Sequence, residues 1–178
     1  SVVHYVSQNV TVTTSTVYTI TVFAKAQERS FLQISTIPGD ATFNIGSGTL
    51  GTVQAAVTAS ITPVGNGWYR CSAIVAATGS SLGVSFRLMS DGSTYSYTGN
   101  GYSGILIWGA QLEVGGPVGG PYTSAFFATS YIPTVASQVT RSADSASMTG
   151  TNFSSWFNQQ QGSFSLYYRA LSQYISAN

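Results

Sequence analysis

Between residues 2 and 113 apolar and polar side chains alternate with a period of two, and this alternation breaks at glycine, asparagine and aspartate. In 17–25, Tyr18, Ile20, Val22 and Ala24 fall on one face, with Thr19, Thr21 and Phe23 on the other. A first run occupies 2–12, and shorter ones follow at 30–36 and 42–45. Residues 52–61 place Val53, Ala55, Val57, Ala59 and Ile61 on one side. Gly65-Asn66-Gly67 is a turn signal, because glycine and asparagine tolerate positive φ. Further runs cover 68–76, 83–89, 94–98 and 104–113.

No segment before residue 150 has helical spacing. Short strands separated by turn residues, with no intervening helices, predict an all-β fold, an antiparallel β-sandwich or jelly roll. The pattern stops near residue 115: Gly115-Gly116-Pro117-Val118-Gly119-Gly120-Pro121 cannot lie in a central strand, since proline lacks the ladder donor and glycine weakens pairing. The expected organisation is a sandwich over 1–115, a Gly/Pro/Ser-rich connector over 116–150, and a C-terminal piece over 151–178. That last piece has Trp156, Phe157 and an alternating run from Ser163 to Tyr168, and is too short to fold alone. It either packs back on the sandwich or begins a second β domain.

Alternation also sorts the faces of individual strands. Tyr69, Cys71, Ala73 and Val75 are expected inside, with Trp68, Arg70, Ser72 and Ile74 outside. Val84, Phe86 and Leu88 point inward and Ser85, Arg87 and Met89 outward; Leu32 and Ile34 are core, Phe31 and Gln33 outside. Over 106–113 the reading places Leu106, Trp108, Ala110 and Leu112 inside and Ile107, Gln111 and Glu113 outside.

Composition changes what those outer faces can be. Of 178 residues, 43% are hydrophobic, enough for a packed core, but only 6% are charged, against roughly 25% in an average domain. The surface is therefore built from Ser, Thr, Asn, Gln and Gly, which suits a cell-surface or virion protein sitting in a larger assembly. Net charge is +1 and the basic residues are scattered, so no cluster can neutralise several phosphates at once, and nucleic acid is not expected as a partner. No apolar run approaches the ~20 residues of a membrane span. Cys71, the single cysteine, reads as a buried structural thiol.

Several strings match catalytic or cofactor motifs on paper. Residues 46–51 and 99–104 both fit G-x-G-x-x-G, yet strand-like sequence follows each where a phosphate site needs a helix N-terminus. Gly79-Ser80-Ser81-Leu82-Gly83 fits G-x-S-x-G, but the only histidine, His4, precedes the serine, the reverse of the hydrolase order. The five acids, Glu28, Asp40, Asp91, Glu113 and Asp144, show no local pairing of the glycosidase kind. No catalytic residue and no enzyme activity are expected. A structural Ca²⁺ held through Glu113, Asp40 or Asp91 and backbone carbonyls is one reading of the acids; solvated turn residues is the other.

Sugars are held by aromatic faces over their C–H patches and by planar polar groups that pair with adjacent hydroxyls. If the outer faces belong to one sheet, Gln33, Trp68, Arg70, Arg87 and Gln111 line a shallow groove. In the competing account Trp68 caps an edge and the arginines pair with acids. Tyr95, Tyr97 and Tyr102, on turns, form a second candidate patch.

Three strings go further: Val17–Ala26 (VYTITVFAKA), Gly65–Ser72 (GNGWYRCS) and Ile107–Glu113 (IWGAQLE). Together they resemble signature segments of a module found in tailed-phage virion proteins such as tail fibres, tailspikes and head-fibre or decoration proteins. Residues 129–134 (TSYIPT) and 140–144 (TRSAD) resemble the exit from that module, and 162–168 the first strand of a following concanavalin A-like domain. The resemblance implies a carbohydrate-binding-module-like jelly roll on the virion surface. Its implied role is non-catalytic adhesion to polysaccharide or glycoconjugate, with other virion subunits, including copies of itself, as neighbours. The alternative role is a structural decoration or spacer domain without a glycan ligand. No sugar-contact motif comes with the resemblance, so the site residues rest on alternation.

Overall fold

The computed structural model describes residues 1–115, 128–134 and 137–140. The chain divides into two units, Ser1–Val139 and Thr140–Asn178. The Gly/Pro linker after residue 115, the RSAD part of the exit segment and the alternating run at 163–168 lie outside the described residues.

The first unit is an all-β, two-layered sandwich. Its strands are β1 (Val2–Thr11), β2 (Val17–Ala26), β3 (Phe31–Thr36), β4 (Asp40–Asn44), β5 (Thr49–Val53), β6 (Thr58–Gly65), β7 (Trp68–Ala76), β8 (Ser81–Met89), β9 (Ser96–Tyr97) and β10 (Ile105–Val114). One sheet has the order β5-β4-β3-β8-β1-β9 and the other β10-β2-β7-β6, with every pairing antiparallel. Among the described residues no helix is long and apolar enough to cross a membrane.

The core lies between the sheets. β2 and β7 contribute Ile20, Val22, Ala24, Cys71, Ala73 and Val75; Leu32, Ile34, Phe43, Leu82 and Val84 face them from the six-stranded layer. Burying the Val, Leu, Ile and Phe side chains among these stabilises the fold by roughly 1.5–3 kcal/mol each before entropy is counted. Each core set is one parity of a strand, which is why alternation located it.

Local turn chemistry accounts for the connections. Gly65 pairs with Trp68, so Asn66 and Gly67 form a two-residue hairpin loop, with φ of 53° and 75°. Positive φ at both positions matches the right-handed twist of the flanking strands. The glycine-rich 46–51 stretch is the β4–β5 hairpin, where Asn44 Oδ1 accepts from the Gly46 and Ser47 amides, both at 3.1 Å. Residues 99–104 are a loop leading into β10, and Ser81 begins β8 without any helix. Ser81 pairs with Thr11 and His4 with Leu88, seven positions apart, or about 23 Å along the strand at ~3.3 Å per residue. Neither glycine motif forms a phosphate cradle and Ser81 is no nucleophile elbow.

Two expectations need correcting. The run over 52–61 is not one strand: β5 ends at Val53, the chain turns with the Val57 amide donating to Gln54 O (2.9 Å), and β6 begins at Thr58. The faces of β10 also change part-way. A bulge between Trp108 and Gln111 inserts one extra residue opposite β2, and Gly109 sits in it at φ 63°. Leu106 and Trp108 consequently lie on the outer face, 45% and 50% exposed, where uninterrupted alternation placed them in the core.

Candidate functional site

Face and sheet are separate variables, and the groove residues expected together divide between the two layers. Trp68, Arg70 and Gln111 lie on the outer face of the four-stranded sheet; Gln33 and Arg87 lie on the outer face of the six-stranded sheet. The sandwich core separates them, so the five-residue groove does not exist.

The outer face of the four-stranded sheet carries the chain's own connector. Arg70 Nη1 donates to Ala128 O (3.2 Å), and its Nη2 donates to Thr129 O (2.5 Å) and Thr21 Oγ1 (3.4 Å). Glu113 accepts from the Thr129 amide (3.0 Å) and hydroxyl (2.5 Å). Gln111 Oε1 accepts from the Ile132 amide (2.9 Å), and Tyr131 packs edge-on against Trp108, which stacks on Phe23 with centroids 4.6 Å apart. Burial draws the Arg70 guanidinium below its usual pKa and Glu113 opposes the shift. Trp68 is half-buried beside Lys25 at the end of this face. Arg70, Gln111 and Glu113 are therefore a clamp for residues 128–134.

On the six-stranded sheet, register builds transverse rows. Tyr5 pairs with Arg87, Arg87 with Gln33, and Gln33 with Thr42, one residue from each of four adjacent strands. The next row is Ser7, Ser85, Ser35 and Asp40. The floor is low and polar: Gln33 is 8% exposed and Thr42 only 2%, whereas Tyr5 stands out at 59%. Arg87 Nη1 donates to Gln33 Oε1 (3.1 Å) and lies 3.6 Å from Asp40 Oδ2, while Gln33 Nε2 donates to Thr42 Oγ1 (3.4 Å). The remaining Arg87 donors, Nε and Nη2, have no hydrogen-bond partner among the described residues.

Tyr95 places its ring 5.5 Å from the Arg87 guanidinium. The turn that carries it is fixed by Asp91, whose Oδ1 accepts from the Ser93 and Thr94 amides, both at 2.8 Å. Those hydrogen bonds, the Ser93 amide foremost, hold the Asp91 carboxyl well below the usual carboxylate range. Tyr5 was missed in the sequence. Its signal was available, since Tyr5, Ser7 and Asn9 are one parity of β1, but only pairing with Arg87 gives that parity a meaning.

No protein-family model matches this chain, and no curated protein is significantly similar to it in sequence.

The other tyrosines of the expected second patch lie elsewhere. Tyr97, in β9, pairs with Val2, and its ring is 4.6 Å from that of His4. Tyr102 is exposed on the following loop. They line a common cleft, and Tyr95 is not part of it. Asp40 and Glu113 stand on different sheets, with Arg87 and Thr129 as their respective partners, so they do not make a shared ligand set. Among the described residues no three His, Cys, Asp or Glu side chains cluster in metal-binding fashion.

Proposed function

We propose that the chain is a non-catalytic glycan-binding module, and that it binds a neutral polysaccharide across the outer face of its six-stranded sheet. The observation that carries this reading is the row Tyr5–Arg87–Gln33, planar side chains side by side above the buried Thr42, with Tyr95 beside Arg87. Arg87 is already neutralised by Asp40 yet keeps donors unpartnered among the described residues, which suits hydroxyls better than a charged ligand. The tyrosine rings would cover sugar C–H faces. An open sheet face gives weak binding per site, and display in many copies multiplies it.

The setting on a virion fibre or spike, facing cell-surface or mucus polysaccharide, rests on the resemblance of Val17–Ala26, Gly65–Ser72 and Ile107–Glu113 to phage virion modules. The low charge content agrees with it.

A glycan array probed with the intact chain tests the reading. Arg87→Ala and Tyr5→Ala are expected to abolish retention, and Arg70→Ala and Trp68→Ala to leave it, with no reducing ends released from any bound glycan. A second reading, a structural decoration or spacer domain, is favoured by the exposed apolar side chains of Val2, Val6, Leu106, Ile107 and Val114 on β1 and β10. A stable oligomer that retains no glycan would support that reading against the first.

A further inference from the structure

The two layers of the sandwich differ in width, and the wider one leaves β1 and β9 at its end. His4 pairs with Leu88 and Val2 with Tyr97, so His4 and Tyr97 lie on the side of the sheet that faces the core elsewhere. Here the exposure of Val2 and Val6, on the same parity, shows that the second layer does not cover them. Arg29 of the β2–β3 turn and the 99–103 loop border this overhang and leave a half-open cleft of about 300 Å³, the lower end of the range for small-molecule sites.

Two of the residues lining the cleft, Arg29 and Tyr97, carry donors left without acceptors, while His4, Asn100 and Ser103 are hydrogen-bonded. Arg29 lies over the Tyr97 ring, 4.2 Å from its centroid. Arg29 Nε and Tyr97 Oη are both buried without a hydrogen-bond partner. Among the described residues no carboxylate pairs with Arg29, and none lines the cleft. Glu28, its neighbour in sequence, turns its carboxylate to the Gly104 amide at 3.1 Å. Leaving such donors buried and unpaired costs about 1–3 kcal/mol each, more for a charged group. The backbone holds them there: the Arg29 amide donates to Gly104 O (3.1 Å), and Asn100 Oδ1 accepts from the Tyr102 and Ser103 amides. The exposed Tyr102 ring stands at the rim of the cleft.

We infer that this overhang cleft is a binding site, separate from the sheet face, for the carboxylate of one acidic sugar unit. A small opening of the Arg29–Tyr97 stack lets Arg29 Nε and Tyr97 Oη, closed to solvent in the empty cleft, donate to the carboxylate oxygens, and Tyr102 covers the C–H face of the ring. A single hexuronate fits a cleft of this size, and a neutral hexose leaves both buried donors unpaired.

Two-dimensional ¹H–¹⁵N NMR of the full chain, titrated separately with glucuronate, glucose and inorganic phosphate, tests it. Glucuronate is expected to shift the amides of His4, Gly99, Gly101 and Tyr102 saturably, and to bind at least about tenfold more tightly there than glucose or phosphate. Arg29→Gln is expected to weaken glucuronate by at least about tenfold, as fits loss of a charged hydrogen bond. Tyr97→Phe, which keeps the ring stack, is expected to weaken it severalfold while raising the melting temperature, because the unpaired buried hydroxyl is gone. Glucose binding as well as glucuronate overturns the site, and so does phosphate binding equally well, which would make it a general anion hole. An unchanged affinity in Tyr97→Phe overturns it even if Arg29→Gln fails to fold. Shifts at Gln33, Ser85 and Arg87 report the sheet face instead, so the two sites are read independently.

Discussion

Gly109 turns Trp108 outward. At φ 63° it occupies the left-handed region, and a Cβ there would lie 3.0 Å from Phe23 Cδ2 and 3.5 Å from Tyr131 Cδ2. Gly109→Ala should therefore cost about 1–2 kcal/mol from backbone strain alone. It should also red-shift Trp fluorescence as Trp108 loses its contact with Tyr131; an unchanged melting temperature and spectrum would contradict the bulge. Cys71 is decided by burial in the opposite way, as a side chain fully enclosed in the core. Desolvation pushes its thiol up to about 12 from an ordinary 9.0. Because the unfolded chain ionises first, the contribution of this group to stability is full below about pH 9 and is lost as pH rises toward 12. Native protein should not react with a disulfide reagent at pH 8, and should react completely once denatured.

At the scale of elements, β2, β7 and β10 act as a cradle for residues 128–134. Arg70 holds two connector carbonyls, and Glu113 and Gln111 take up the Thr129 and Ile132 amides. Hydrogen bonds to a charged donor contribute about 1.5–3 kcal/mol each, so Arg70→Ala should release the segment while the sandwich stays folded. Hydrogen exchange checks this: the amides of Thr129 and Ile132 should exchange faster, and those of Val22 and Ala73 should not change. Equal protection of all four would mean that Arg70 does not hold the connector.

The limits of sequence reasoning also appear at this scale. Alternation sorted the faces of 31–34, 68–75 and 83–89 correctly because those strands run without irregularity. It failed over 106–109, where one inserted residue reverses parity and no local pattern marks it except a glycine among many. It could not assign a strand to a sheet, since period two says which side a residue faces and nothing about its neighbours. That is why Arg70 and Arg87 looked equivalent in the sequence and lie on opposite faces of the sandwich. The clamp partners of Arg70 come from a segment some 58 residues away, a contact created only by folding.

At the scale of the whole sandwich, the two outer faces differ in what covers them. The four-stranded side holds residues 128–134, and the six-stranded side presents a recessed polar strip with tyrosines at its edge. Few charges and a neutral surface limit long-range steering, so affinity for a polysaccharide should depend little on salt and rise steeply with copy number. Calorimetric titration of a glycan retained on the array, against wild type, Arg87→Ala and Arg70→Ala, tests the central claim most directly. The account predicts that Arg87→Ala weakens binding by at least about tenfold, or ~1.4 kcal/mol, and that Arg70→Ala stays within about twofold of wild type. Loss of binding in Arg70→Ala with Arg87→Ala unaffected would place the ligand on the wrong sheet and contradict it.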